Sequence, residues 1–172
     1  MDDSNLGGSE KKRNKKKMNK KFKVILLVIS FTISISMKSS EEIKWVDFNK
    51  GYDLAKKKKK IMLVDVYTDW CGWCKRMDRD AYAISSVSEV VNKDFIAVKF
   101  DPEIQGVVYN YEGKNYTGEQ LAGVISNYTI TGYPTTVFIY PKNKKSEVVI
   151  GYKNAEQLLP VLANYKKKFY GK

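Results

Sequence analysis

Histidine does not occur in the chain. Its absence removes imidazole general bases, Cys/His catalytic dyads and the usual imidazole zinc sites, so any chemistry must rest on other groups. Cysteine occurs only twice, at Cys71 and Cys74, which excludes a secreted scaffold stapled by several bridges. The pair is a motif or nothing. No internal repeat interrupts the chain, so solenoids and propellers are excluded too.

What is present is material for one core. Of the 172 residues, 43% are hydrophobic and 13% aromatic, with twelve tyrosines and three tryptophans. That length and composition fit one domain of ordinary size plus a short targeting segment, and they exclude disorder of the whole chain.

The formal charge is +12, a value that in other settings points to nucleic acid or an anionic membrane. Its distribution argues otherwise. Residues 1–23 carry nine Lys and Arg against Asp2, Asp3 and Glu10, so half the excess precedes the domain. Most of the rest sits in Lys56 to Lys60 and Lys166 to Lys168, runs that suit solvated helix ends. No nucleic-acid partner is expected, and the chain is expected to be a monomer.

Val24 to Met37 is an apolar run flanked by Lys23 and Lys38. At about 14 residues it falls short of the ~20 that span a bilayer comfortably and reads as the hydrophobic part of a secretory signal. Ser34 and Ser36 have the spacing of a signal-peptidase site, and Met18 offers a second start that gives a more ordinary signal length. Uncut, the run would be an N-terminal anchor with its basic flank on the cytoplasmic side. Either way the domain is exported. With no cysteine at its end, the run is not a lipoprotein signal. We therefore divide the chain into a basic N-terminal region with signal peptide or anchor, 1–42, and a domain, 43–172.

Within the domain, apolar positions from Trp45 to Lys60 recur at helical spacing. Ile61 to Tyr67 reads as a strand buried on both faces, as in a mainly parallel sheet, and Asp65 interrupts it. Helix formers follow the cysteines. A further helix is expected from Ser86, with Glu89 completing a capping box, then a strand over Phe95 to Asp101. Val107 to Thr117, turning at Glu112-Gly113, reads as a small hairpin insertion. Glu119 to Tyr128 is a short helix, Thr135 to Tyr140 and Glu147 to Ile150 are strands, and Asn154 to Phe169 closes the chain as a helix that Pro160 should kink or delimit.

The cysteines thus fall where a buried strand becomes a helix. Unpaired N–H groups at such a helix start stabilise a thiolate, so Cys71 should be the nucleophile. Cys74, one turn on and on the same face, can attack the mixed disulfide and release reduced substrate. Lys75 and Arg76 add positive charge that should favour the thiolate. Neither another cysteine nor a histidine exists to complete a zinc site, and a purely structural bridge over so short a loop would stabilise little. Asp65, six residues before Cys71, lies on a strand where burial raises a carboxyl pKa, so it can take and return the Cys74 proton; Lys99 on the neighbouring strand would offset its charge. An ion-paired core role for Asp65 stays open.

Together these residues resemble the thioredoxin family over roughly 45–170. Trp70-Cys71-Gly72-Trp73-Cys74-Lys75 is similar to the family's W-C-G-P-C-K; Asp65 and Lys99 fall on its buried acid and paired lysine; Thr131-Gly132-Tyr133-Pro134-Thr135 is similar to its cis-proline loop, and Gly151 to a glycine near its substrate groove. The resemblance implies an α/β fold with a central mixed β-sheet flanked by helices. It also implies that Trp70, Gly72, Trp73, Tyr133, Pro134 and Gly151 form a surface on which an extended substrate segment pairs with backbone. The active group would be the Cys71–Cys74 disulfide itself, with no metal or other cofactor. Substrates would be protein disulfides, and a membrane thiol-relay protein would supply electrons.

Trp73 stands where the family has proline, in a slot that tunes redox poise. The hairpin insertion resembles that of exported thioredoxin-like proteins of the sulfur-oxidation-associated or thiol-relay type. Reduction of disulfides in exported proteins is the leading reading. A disulfide oxidase or isomerase, and a redox-idle peptide-binding protein, remain as alternatives.

Overall fold

The computed structural model describes residues 41–171. The expectations for residues 1–40, including the apolar run and the Ser34/Ser36 cleavage site, lie outside the described residues. Among the described residues no helix is long and apolar enough to cross a membrane.

Chain order is α1 (Phe48–Lys58), β1 (Ile61–Val66), α2 (Gly72–Met77), a π-helical turn (Asp78–Tyr82), α3 (Ser85–Asp94), β2 (Phe95–Phe100), β3 (Tyr109–Tyr111), β4 (Lys114–Tyr116), α4 (Gly118–Ile125), β5 (Thr135–Tyr140), β6 (Lys145–Ile150) and α5 (Ala155–Tyr170). Four strands form one sheet in the order β2-β1-β5-β6. Only β1 and β2 run parallel; β5 is antiparallel to both β1 and β6. The mainly parallel sheet read from the apolar run of β1 is therefore corrected to a mixed one. Burial on both faces produces that run whatever the direction of the neighbours.

Alternation along β1 divides two cores. Met62, Val64 and Val66 face one cluster with Phe48 of α1 and Leu121 and Ile125 of α4. Ile61 and Leu63 face the other, with Met77, Ala81 and Tyr82 from the segment after the cysteines, Val87 and Val91 of α3, and Leu158 and Leu162 of α5. By the same period of two, Asp65 shares the second face with Ile61 and Leu63. It looks toward the helical layer that carries Cys74.

Several boundaries differ from the sequence reading. Helix α1 begins at Phe48 rather than near Trp45, because Asp47 caps it by accepting from the Lys50 N–H at 2.9 Å. Trp45 instead meets Tyr82 edge-on, with ring centroids 5.0 Å apart, and Val46 forms a lone bridge to Val98. The box expected at Ser86 and Glu89 does not form. Helix α3 starts one residue earlier, with Ile84 at the cap and no side-chain cap bond. Capping boxes occur instead at Thr117 with Gln120 and at Asn154 with Gln157. Pro160 lies inside α5, which runs unbroken through it.

The insertion is more than a surface hairpin. Its strands β3 and β4 turn at Glu112 and Gly113, both with positive φ (53° and 76°), the conformation of a tight two-residue hairpin turn. Tyr109 and Tyr111 are buried against Phe48, and Glu112 accepts from the Tyr52 hydroxyl while pairing with Lys144 at 2.5 Å. The inner face of the hairpin thus completes the core beside α1.

Candidate active site

Cys71 is the N-cap of α2, and the N–H of Cys74 points at its Sγ from 3.0 Å. The two sulfurs are joined as a disulfide, with Cα atoms 5.3 Å apart. Both cysteines are buried, at 4% and 2% exposure, while Trp70 and Trp73 beside them are 68% and 55% exposed. The disulfide therefore lies at the floor of a surface walled by two indoles. Gly72 is exposed, with open space where a Cβ would stand.

Each indole is held. Trp70 Nε1 donates to Glu103 at 2.9 Å, and its ring meets that of Tyr133 at 6.0 Å. Trp73 packs on Tyr152, and the Arg76 guanidinium lies over both rings at 5.3 and 5.5 Å. Asp80 ties this group together, accepting from Arg76 Nε at 3.1 Å and from the Tyr152 hydroxyl at 2.8 Å. Those two bonds hold the Asp80 carboxyl below its usual range. Arg76 thus serves the Trp73 wall rather than standing free beside the thiols.

The proline loop arrives at the same end of the sheet, because Val66, the last residue of β1, pairs with Thr135, the first of β5. The Tyr133-Pro134 peptide is cis. Tyr133 is half-buried and Pro134 buried, and the Pro134 carbonyl accepts from the Gly151 N–H at 2.8 Å. Gly151 has φ +86°, a conformation that favours glycine. Trp70 and Tyr133, and Pro134 and Gly151, are therefore brought together as contacts.

Beneath lies the acid. Asp65 sits opposite Lys99 in register across the parallel pair and opposite Thr136 across the antiparallel pair. Lys99 Nζ reaches Asp65 Oδ2 at 2.6 Å. Burial raises the Asp65 pKa, and the Lys99 charge opposes that rise without cancelling it. For Lys99, burial pulls the pKa down, but its carboxylate partners more than compensate. Asp65 Oδ1 and Thr68 Oγ1 are buried with no hydrogen-bond partner among the described residues.

The sequence reading missed a second carboxylate on Lys99: Asp78 Oδ1 lies 2.5 Å from Nζ. The signal was its place four residues after Cys74, on the same helical face. The Glu103 anchor and the Asp80, Arg76 and Tyr152 group left no comparable spacing signal. No group of three or more metal-binding side chains occurs among the described residues.

A family model described as Thioredox_DsbH (Protein of unknown function, DUF255) matches residues 32–161. The chain belongs to that thioredoxin-like family. The protein disulfide-isomerase of Saccharomyces cerevisiae is 33% identical over 92 residues, which are 54% of this chain and 14% of that protein. The chain thus spans about a seventh of the curated relative's length. Two solved structures show the thioredoxin fold. A thioredoxin from Thermus thermophilus is 20% identical, with TM-score 0.56, over 73% of this chain and 88% of that one. A DsbH oxidoreductase is 19% identical, with the same score, over 74% and 88%. Family membership and the Cys71–Cys74 disulfide give this chain a thioredoxin-like fold that carries a cysteine pair at a helix start.

Proposed function

We propose that the chain reduces disulfides of exported proteins, with Cys71 as nucleophile, Cys74 as resolving thiol and Asp65, balanced by Lys99, as the acceptor of the Cys74 proton. In the reduced protein the Cys71 thiolate attacks a substrate disulfide. A bond forms between Cys71 Sγ and one substrate sulfur, and the other sulfur leaves and takes a proton from water. Cys74 then gives its proton to Asp65 and attacks Cys71 Sγ. This re-forms the Cys71–Cys74 bond and expels the second substrate sulfur as a thiolate, which takes up the proton that Asp65 holds, so the substrate gains the two electrons that the chain loses. A donor dithiol must restore the pair.

The observation that carries this reading is the buried carboxyl itself. Its Oδ2 is bound to Lys99, and its Oδ1 is buried near Tyr82 without a well-formed hydrogen bond among the described residues. A base is needed when Cys74 attacks, which is the step that releases reduced substrate. Trp70, Gly72 and Trp73 on one side, with Tyr133, Pro134 and Gly151 on the other, would receive the substrate segment as an added extended strand. The lysine-flanked apolar run 24–37 supports export, to the periplasm or to the outer face of the cytoplasmic membrane, and a membrane thiol-relay protein is the donor of matching chemistry.

The test is reduction of insulin disulfides with dithiothreitol as donor. Wild type should accelerate it and Cys71→Ser should not. An undiminished Cys71→Ser rate would remove the assignment.

A further inference from the structure

The Lys99 ammonium lies between two carboxylates, one buried and one open to solvent. It is 2.6 Å from Asp65 Oδ2 and 2.5 Å from Asp78 Oδ1, and the two acid side chains are 2% and 45% exposed. Three rings also lie near it, with centroids of Trp45, Tyr67 and Tyr82 at 4.9, 5.0 and 5.6 Å from Nζ. Two anions and three π-faces thus share one ammonium, which contacts both acids at once. Asp78, Lys99, Trp45 and Tyr82 also line a cavity of about 450 Å³ at the surface, on whose wall Glu42 adds a carboxylate.

Local backbone puts Asp78 there. Helix α2 gives way at Asp78 to a π-helical turn, in which the Ala83 N–H donates to the Asp78 carbonyl at 2.8 Å. Such single wide turns inside helices recur at functional sites. Asp78 follows Cys74 by one turn, so the element that carries the resolving thiol also carries the second partner of the lysine.

The geometry points to Asp78 as a positioning residue of the exchange reaction: by holding half of the Lys99 ammonium it withholds positive charge from Asp65 and keeps the buried carboxyl a strong proton acceptor for Cys74. Taken together with Asp78, the groups that bear on Asp65 are Lys99 from β2, Thr136 from β5, Tyr67 from the end of β1 and Tyr82 from the π-helical turn. Of these only Lys99 is cationic, so the share it gives to Asp78 sets the balance. The Asp78 charge adds to burial in raising the Asp65 pKa. The proposal rests on the reading of Asp65 as proton acceptor.

The test is an NMR titration of the Asp65 side-chain carboxyl in the oxidised chain, in wild type, Asp78→Asn, Lys99→Gln and the double variant. Asp78→Asn should lower the Asp65 midpoint by about one pH unit, since the lysine charge is then shared with no second anion. Lys99→Gln should raise it. In the Lys99→Gln background the effect of Asp78→Asn should shrink several-fold, because only direct repulsion between the acids remains. Equal shifts in the two backgrounds, or no shift in Asp78→Asn, would overturn the proposal. Should Asp78→Asn not fold, Asp78→Ser gives the same comparison. A midpoint that moves as stated while Asp65→Asn leaves the resolution rate of the mixed disulfide unchanged would instead refute Asp65 as the base, and would leave the Asp78 coupling standing.

Discussion

The backbone N–H of Cys74 is aimed at Cys71 Sγ from 3.0 Å, inside the helix start that Cys71 itself caps. One amide therefore stands ready for the sulfur that carries charge when the disulfide opens. The two cysteines are unequal by position: Cys71 sits at the cap, and Cys74 lies a turn deeper over the layer that Asp65 faces.

That inequality separates the serine variants. Cys74→Ser should accumulate mixed disulfides through Cys71, visible as bands that dithiothreitol removes on a non-reducing gel, whereas Cys71→Ser should give none. Trapping by Cys71→Ser alone would reverse the assignment of nucleophile and resolving thiol.

Trp70 is largely exposed, yet it is held by Glu103 and Tyr133, as a contact surface for substrate requires. Trp70→Ala should raise KM for a protein disulfide about tenfold, the equivalent of roughly 1.4 kcal/mol, with a far smaller change for a small disulfide. Parallel kinetics on the two substrates provide the check. Equal losses on both would mean that the indole serves the fold rather than recognition.

Asp65 makes stability depend on pH with a definite sign. Burial raises its folded pKa above the unfolded value, so the neutral carboxyl contributes stability that is fully present below the ordinary carboxylate range. That contribution is lost as pH rises through the folded midpoint. Asp65→Asn should therefore gain stability over wild type as pH rises from about 4 and hold the gain above the midpoint. Urea midpoints across that range measure it, and a difference that grew toward acid pH would contradict burial as the cause.

Gly151 has φ +86° and places its N–H on the Pro134 carbonyl. A side chain would meet no neighbour there, so Gly151→Ala tests the backbone alone. The variant should lose about 1–2 kcal/mol in chemical denaturation. An unchanged midpoint would mean that the loop relaxes without cost.

Much of this arrangement is legible in the sequence because it depends on short spacings. The place of Cys71 and Cys74 after an apolar strand, Asp65 six residues earlier and Lys99 on the next strand follow from period-two alternation and the strand-to-helix junction. The Glu112-Gly113 turn is equally local. Features that depend on which residue wins a cap were harder to read. Ser86 and Glu89 spell a capping box, but Ile84 takes the cap position and Ser85 already lies in the helix, so Ser86 is one residue inside it and cannot act as the N-cap. The second carboxylate on Lys99 was signalled only by the spacing of Asp78 four residues after Cys74, not by any pattern that announces the π-helical turn, and Tyr152 reaches Trp73 only through the path of the chain beyond β6. The aromatic burial of the hairpin was written in Tyr109 and Tyr111, whose alternation marks an inner face, although the core they join is assembled from α1 and β2.

The most direct test of the central claim is the equilibrium reduction potential of the Cys71–Cys74 pair, titrated against a dithiothreitol or glutathione buffer. A reductase recharged by a donor dithiol should give a value near about −270 mV, that of thioredoxin, whereas a value near about −120 mV would make the chain an oxidant that gives its disulfide away and would contradict the proposed direction.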